Sequence, residues 1–479
     1  MGRSEILPRI LFRMAIAAGC NRSPPAAEDV GVDTVIVLFN RDLRVHDHPA
    51  LAAACQEARR VVPFFVVEPG LPSGRRGGFL LDCLTDLRAS LRRLGGDLIV
   101  RQGEVVAETV RLAGELSADA VWASADVSEY ARSREKRLAA ECKRIHTEFR
   151  TFPGVTVVPP GELTPNGGGD HYRVFTPYWR VWSSTRRRPL LPAPARVVTV
   201  PGLEPGRIPS SFPGMRIRPV DGSQASLNGH GGSRGVPAGG ETAARERLET
   251  WLRLCVADYD DGHDDMAGDR TSKLSAYLRF GCVSPLEVVT RAEAEAGGEP
   301  FVRQLCWRDF YHQVTFAFPQ INRVDYRPRK EEWREDKDAL DAWREGQTGI
   351  PIVDAGMRQL KSEGWMHNRA RMIVASYLVR HLRLDWRAGV EHFFDYLLDG
   401  DIANNSGNWQ WVAGTGNDTR PNRVLNPIRQ AKRFDPEGDY VRRYVPELSH
   451  LPDRAVHEPW KLPSPIKNYP KPLTTPPAA

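Results

Sequence analysis

The chain has 479 residues, too many for one ordinary hydrophobic core, so two domains with connectors are expected. Apolar and charged fractions of 41% and 26% are those of a globular protein, and no apolar run is long enough to span a bilayer, so no membrane partner is expected. A formal net charge of +6 fits a mixed-charge surface as well as a nucleic-acid partner and selects neither.

The seven cysteines are scattered, odd in number and never spaced as C-x-x-C. This argues against a disulfide framework or a zinc site and fits a reducing cytoplasm, so no metal is expected. Seven of the twelve tryptophans fall between Trp307 and Trp411, which concentrates the indoles in the second half.

Residues 1–31 read as an extension outside the fold. Ile6 to Gly19 is apolar, but Arg9 and Arg13 interrupt it, unlike a secretory signal. From Thr34 the pattern sharpens. Continuous apolar runs at Thr34–Phe39, Val61–Val67, Leu98–Val100 and Ala120–Ala123 predict strands buried on both faces. Helical segments at Ala50–Arg60, Leu80–Leu94 and Val105–Leu116 alternate with them. Residues 32–160 therefore predict an α/β, doubly wound, parallel-sheet (Rossmann-like) domain. Ligands of such sheets bind at the carboxyl ends of strands, here Asn40–Arg44 and Ser124–Glu129. Neither G-x-G-x-x-G nor a Walker-type loop is present.

Residues 161–240 are rich in Pro and Gly and read as a connector, with an aromatic stretch, His171–Arg180, suited to packing on a domain surface. Beyond Glu241 the strand signals vanish. Segments 243–256, 285–296, 301–318, 352–361, 368–380 and 390–398 have helical periodicity, which makes 241–465 an all-helical domain. Residues 466–479 read as a tail.

The most unusual stretch is Asp399 to Gly416, read as a loop. Asp399, Asp401, Asn404, Asn405, Asn408, Trp409 and Trp411 crowd within thirteen residues between glycines. Buried carboxylates and amides need partners, so this run suits a flat polar heteroaromatic ligand better than an ordinary core. Upstream, Thr271, Ser272, Lys273, Leu274 and Ser275 combine hydroxyls, a cation and a helix start, as a phosphate cradle or a plain N-cap would. Gln304, Trp307, Arg308 and Tyr311 share a helical face that suits a planar base beside a phosphate, although aromatic stripes more often serve a core. His367, Asn368, Arg369 and Arg371 follow Gly364, and Arg371 can ion-pair with Asp399.

Together these motifs, from about Val32 to Leu448, resemble the photolyase/cryptochrome family of blue-light flavoproteins, and within it a class I cyclobutane pyrimidine dimer photolyase. Arg41-Asp42-Leu43-Arg44 matches as well. The resemblance implies a deoxyribodipyrimidine photo-lyase that binds FAD in its helical domain and acts as a monomer on UV-damaged DNA. Thr271 to Ser275 would hold the FAD phosphates with Tyr259 nearby. Asn405 would place its amide beside flavin N5. Arg371 and Asp399 would flank the ring, with Gly400 beside them and Asp401 at the ring edge. Trp409, Trp386 and Trp333 would relay electrons from the surface. Trp307 and Trp411 would clasp the flipped-out dimer, Asn368 and Gln304 would bond its bases, and Tyr311, Arg308 and Arg369 would complete the DNA-binding face. A second, antenna chromophore (a folate or 8-hydroxy-5-deazaflavin) would bind the α/β domain near Asn40–Arg44 and Ser128-Glu129.

Some residues depart from the pattern. Gln304 replaces a glutamate, as in (6-4) photolyases and animal cryptochromes, while Asn368 and Met372 stand where (6-4) enzymes use histidines. His263 stands for an arginine expected toward DNA, and Ser128 for an amide. The alternatives are (6-4) repair and a signalling cryptochrome.

Overall fold

The computed structural model describes residues 31–70, 74–211, 237–268, 270–329 and 332–476. The expected extension and most of the Gly-rich connector lie outside them. Five parallel strands, β1 (Val32–Leu38), β2 (Ala58–Val67), β3 (Ile99–Gln102), β4 (Ala120–Ser124) and β5 (Glu148–Phe152), form one sheet in the order β3-β2-β1-β4-β5. Helices α1 (Pro49–Glu57), α2 (Gly74–Arg93), α3 (Val105–Leu116) and α4 (Glu129–Arg144) connect them. The strand order reverses between β1 and β4, so the ligand crevice expected of a doubly wound sheet opens beside Asn40–Arg44 and Ala125–Glu129. The edge strand β5 was missed because its sequence, Glu-Phe-Arg-Thr-Phe, lacks the apolar run of an inner strand, and only Phe152 is buried.

The connector carries α5 (Phe175–Ser184). The rest is helical: α6 (Glu241–Leu254), α7 (Tyr259–Gly262), α8 (Ser275–Phe280), α9 (Pro285–Glu293), α10 (Glu299–Ala317), α11 (Lys337–Glu345), α12 (Pro351–Glu363), α13 (Asn368–Ser376), α14 (Trp386–Tyr396), α15 (Ile402–Ala413), α16 (Pro427–Phe434) and α17 (Asp439–Tyr444). A π-helical turn, Tyr377–His381, follows α13. Two expectations are corrected here. The polar stretch read as a loop is mostly helix α15, capped at its start by the Asp401 carboxylate and ended by Gly414 at φ 77°. The tail is docked at least to residue 474: the Tyr469 hydroxyl donates to Asp354 (2.7 Å), and the Leu473 amide to the Thr348 carbonyl (3.0 Å).

The two halves share one core. Val35, Val37 and Phe65 on one sheet face join α2 residues and Leu305 and Phe310 of α10 in a single apolar cluster. The opposite sheet face packs on α3 and α4. A separate core inside the C-terminal helices holds Trp343, Trp386 and Trp409. Backbone contact seals the seam: the Leu43 amide donates to the Phe280 carbonyl (3.2 Å), and a Cβ on Gly281 (φ 69°) would stand 2.0 Å from the Arg41 carbonyl oxygen. Only glycine fits there. Buried Arg44 donates to the carbonyls of His46, Asp47, Gly154 and Gly281, satisfying a guanidinium the seam would otherwise strand.

Candidate functional site

α10, α13 and α14 all pack on α15, which brings the Gln304–Tyr311 and His367–Arg371 motifs to that helix. At its entrance the Arg371 Nη2 donates to Asp399 Oδ2 (2.9 Å), and the Arg371 Nε to the Met366 carbonyl (2.8 Å). The second oxygen of Asp399 is buried and unbonded. The Asn405 side-chain amide donates to the Val390 carbonyl of α14 (3.1 Å). Asp401 is committed within the protein. Its Oδ1 accepts from the backbone and side-chain nitrogens of Asn404 (both 2.8 Å), and its Oδ2 from Arg41.

The cradle residues form the loop that leads into α8. Thr271 Oγ1 is buried without a partner, and Lys273 holds a left-handed backbone (φ 52°). Arg247, missed from sequence, grips the loop from α6 by donating to the carbonyls of Ser272 (2.9 Å) and Thr271 (3.1 Å). Ser272 Oγ accepts from the Leu274 amide (3.4 Å), and Ser275 opens α8. Tyr259 stacks on His263 at 5.1 Å, and burial raises its hydroxyl pKa, keeping it neutral. Buried polar atoms normally find partners, and Thr271 Oγ1 in the cradle and Asp399 Oδ1 at the entrance to α15 have none within the protein, as groups that meet a polar ligand would.

On α10, Gln304 is exposed and Trp307 half-buried. One face of the Trp307 indole is covered by Phe175 of α5, stacked at 3.7 Å and 5°. The aromatic stretch of the connector thus packs on a domain surface, as expected. Half-buried Trp411 carries the Arg423 guanidinium 4.8 Å from its ring centre, and Asn368 is exposed at the start of α13.

Three residues expected on a DNA face are placed otherwise. Arg308 is largely buried and donates to the Val155 carbonyl (2.7 Å), so it ties α10 to the segment that follows β5. Tyr311 is 2% exposed and lies against Gly407 of α15, where a Cβ would stand 2.1 Å from its ring. Arg369 makes a two-pronged ion pair with Asp264 (2.6 and 2.7 Å) and lies over Phe434. Sequence spacing put the first two on the same helical face as Gln304, but α10 is buried nearly all round, so shared spacing does not mean shared exposure.

Among the tryptophans, Trp409 and Trp386 are buried and Trp333 is half-buried. Trp386 Nε1 donates to Asp325 Oδ1 (2.9 Å). Trp409 contacts Phe393 (5.0 Å between ring centres) and Trp343 (6.1 Å), a neighbour that sequence reading did not single out.

Residues 35–196 match the family model described as DNA photolyase, and residues 301–477 the model described as FAD binding domain of DNA photolyase. A protein of Streptomyces griseus named deoxyribodipyrimidine photo-lyase is 49% identical over 439 residues, which is 90% of this chain and 93% of that protein. A bacterial class III photolyase from Agrobacterium tumefaciens superimposes with a TM-score of 0.82 at 33% identity, covering 94% of this chain and 96% of the other. An archaeal photolyase from Sulfolobus tokodaii, described as holding two FAD molecules and implicating a novel light-harvesting cofactor, superimposes at 0.78 with 29% identity, covering 92% of this chain and 96% of the other.

Proposed function

The chain belongs to the DNA photolyase family, and from that premise we propose that it is a deoxyribodipyrimidine photo-lyase, binding UV-damaged DNA and splitting cyclobutane pyrimidine dimers in blue light. The observation that carries this reading is the Arg371–Asp399 pair, whose carboxylate is 5% exposed and keeps one oxygen unbonded. FAD, when bound, supplies the light-driven electron that cleaves the dimer.

The residues then divide the work. Thr271, Ser272 and Ser275 would hold the phosphates, with Arg247 fixing their loop. Arg371, Asp399 and Asn405 would orient the ring, Asn405 by its side-chain amide. Trp307 and Trp411 would stack against the flipped-out dimer with their uncovered faces, while Phe175 and Arg423 back the opposite ones. Flipping is easier for a dimer than for an intact pair because damage has weakened stacking and pairing. Gln304 and Asn368 would bond the bases. Trp409, Trp386 and Trp333 would relay electrons outward, with the Asp325 carboxylate at Trp386 Nε1 favouring the oxidised indole.

An antenna chromophore would lie in the crevice at the ends of β1 and β4. There Glu129 pairs with Arg323 across the seam (2.7 Å). A folate and 8-hydroxy-5-deazaflavin are the two candidates for it. The six described cysteines are free, which fits a reducing cytoplasm, and no described helix is long and apolar enough to cross a membrane.

The test is binding in the dark. The purified protein should carry flavin and hold dimer-containing duplex far more tightly than intact duplex, with preference lost in W307A and W411A. Preference for (6-4) lesions would transfer the reading to that substrate, and flavin without any damage preference would favour a signalling cryptochrome.

A further inference from the structure

Arg41 leaves the carboxyl end of β1 and reaches across the domain seam into α15. Its Nη2 donates to Asp401 Oδ2, its Nη1 to both oxygens of Asp126 (3.3 Å each), and its Nε to the Arg279 carbonyl (3.2 Å). Arg279 in turn donates from Nε to the Gly400 carbonyl (2.7 Å), so both residues before α15 are tied to this junction. The link continues into the flavin-facing turn: Asp401 caps Asn404, its carbonyl accepts from the Asn405 amide (2.8 Å), and Asn405 bonds Val390.

Other groups face Asp401 but cannot replace Arg41. His312 Nε2 lies 3.9 Å from Asp401 Oδ2, while its Nδ1 bonds the Arg308 carbonyl (2.8 Å). Burial and Arg308 hold that imidazole neutral, with a pKa of about 4, so its unprotonated Nε2 offers no hydrogen bond. Arg308 is occupied by Val155, with Asp309 Oδ1 3.7 Å from its Nη1, and Arg279 is occupied by Gly400. Among the described residues Arg41 is the one cation that hydrogen-bonds the Asp401 side chain. Only 16% and 6% of the two side chains are exposed, so solvent screens the pair weakly.

We propose that Arg41 is a positioning residue for the flavin site. The α/β domain, through this one side chain, fixes the entry of α15 and hence the placement of Asn405. The proposal rests on the reading that Asn405 faces the flavin ring, and it assigns the sheet domain a part in tuning the flavin that is separate from any antenna role. It places coupling at the topological switch point, because Arg41 and Asp126 come from the ends of β1 and β4.

The experiment uses the full chain with R41Q, R41K, D126N and the double variant R41Q/D401N, reading FAD affinity, the flavin absorption bands and the flavin midpoint potential. R41Q should weaken FAD binding about tenfold or more and shift both bands and potential, as loss of a charge-assisted bond predicts. R41K should recover part of each, because an ammonium can still reach Asp401. D126N, which leaves the Arg41–Asp401 bond in place, should stay near wild type. If R41Q is too unstable to purify, R41Q/D401N removes both charges while keeping an Asn cap; it should fold and still show the altered flavin bands. Wild-type bands and potential in R41Q or in the double variant would overturn the proposal. So would a D126N defect equal to that of R41Q, which would mark general seam packing. A wild-type chain that binds no flavin would instead overturn the reading beneath it, and the proposal with it.

Discussion

Gly389 on α14 gives the sharpest steric test of where Trp409 sits. A Cβ at this position would lie 2.2, 2.5 and 2.6 Å from three carbons of the Trp409 six-membered ring, against ordinary contact at 3.4 Å or more. The ring must therefore retreat by about an ångström, and Phe393 and Trp343 block it on two sides. In an exposed helix, Gly→Ala stabilises by roughly 0.5–1 kcal/mol. Overpacking a tight core costs about 1–3 kcal/mol. The clash wins, so Gly389→Ala should destabilise by about 1–2 kcal/mol. The control is Gly114→Ala on α3, where a Cβ meets nothing within 4 Å and the helix term should appear alone. Thermal melts of both variants check the energetics. Photoreduction of bound flavin by an external donor checks the relay, and it should slow in Gly389→Ala because the indole has moved. A Gly389→Ala protein that melts higher than wild type and photoreduces normally would refute this placement of Trp409.

Asp309 is 1% exposed, and burial lifts its carboxyl pKa to about 6 from an ordinary 3.8. The folded state thus holds this proton more tightly than the unfolded one, and stability falls as pH rises from about 4 to 6. D309N keeps an oxygen acceptor for the Val157 and Val158 amides and Trp182 Nε1, so it should outlast wild type at pH 7.5 by up to about 3 kcal/mol, with the gap closing below pH 4. Equal denaturant midpoints at both pH values would refute this. R371Q leaves Asp399 without its cation and should cost about 2 kcal/mol and lower flavin content; unchanged flavin occupancy on purification would count against the pair's role. T271V removes the orphaned hydroxyl and should weaken FAD affinity several-fold with little change in melting of the flavin-free protein. W307A should lose about 1–3 kcal/mol of binding to dimer-containing DNA, read as a dark Kd, and an unaltered Kd would remove it from the lesion site.

The sheet domain was legible because inner parallel strands must be apolar on both faces, and four of its five strands announced themselves that way. β5 did not, since an edge strand can be polar. α15 was hidden for the opposite reason. Its buried positions include Ser406, Gly407 and Gln410, so it lacks an apolar stripe, and its helical nature rests on the Asp401 cap. α11 buries only Ala339 and Trp343 along a charged sequence and was equally quiet. At the site, residue types and spacing pointed to Arg371, Asp399 and the cradle. Arg41, Arg247 and Phe175 come from other parts of the chain, and only tertiary contact reveals what they hold. Arg308 shows the converse, a cation whose position suggested a surface and whose side chain is spent inside. The family was legible from motif order; the class within it was not, and the similar structures include a class III enzyme.

The most direct measurement is loss of thymine dimers from irradiated oligothymidine incubated with the purified, flavin-bearing protein, in blue light and in the dark. Restoration of intact thymines is expected in light, none in the dark, and loss of restoration in W411A. Bound flavin with no light-dependent restoration would contradict the proposed function.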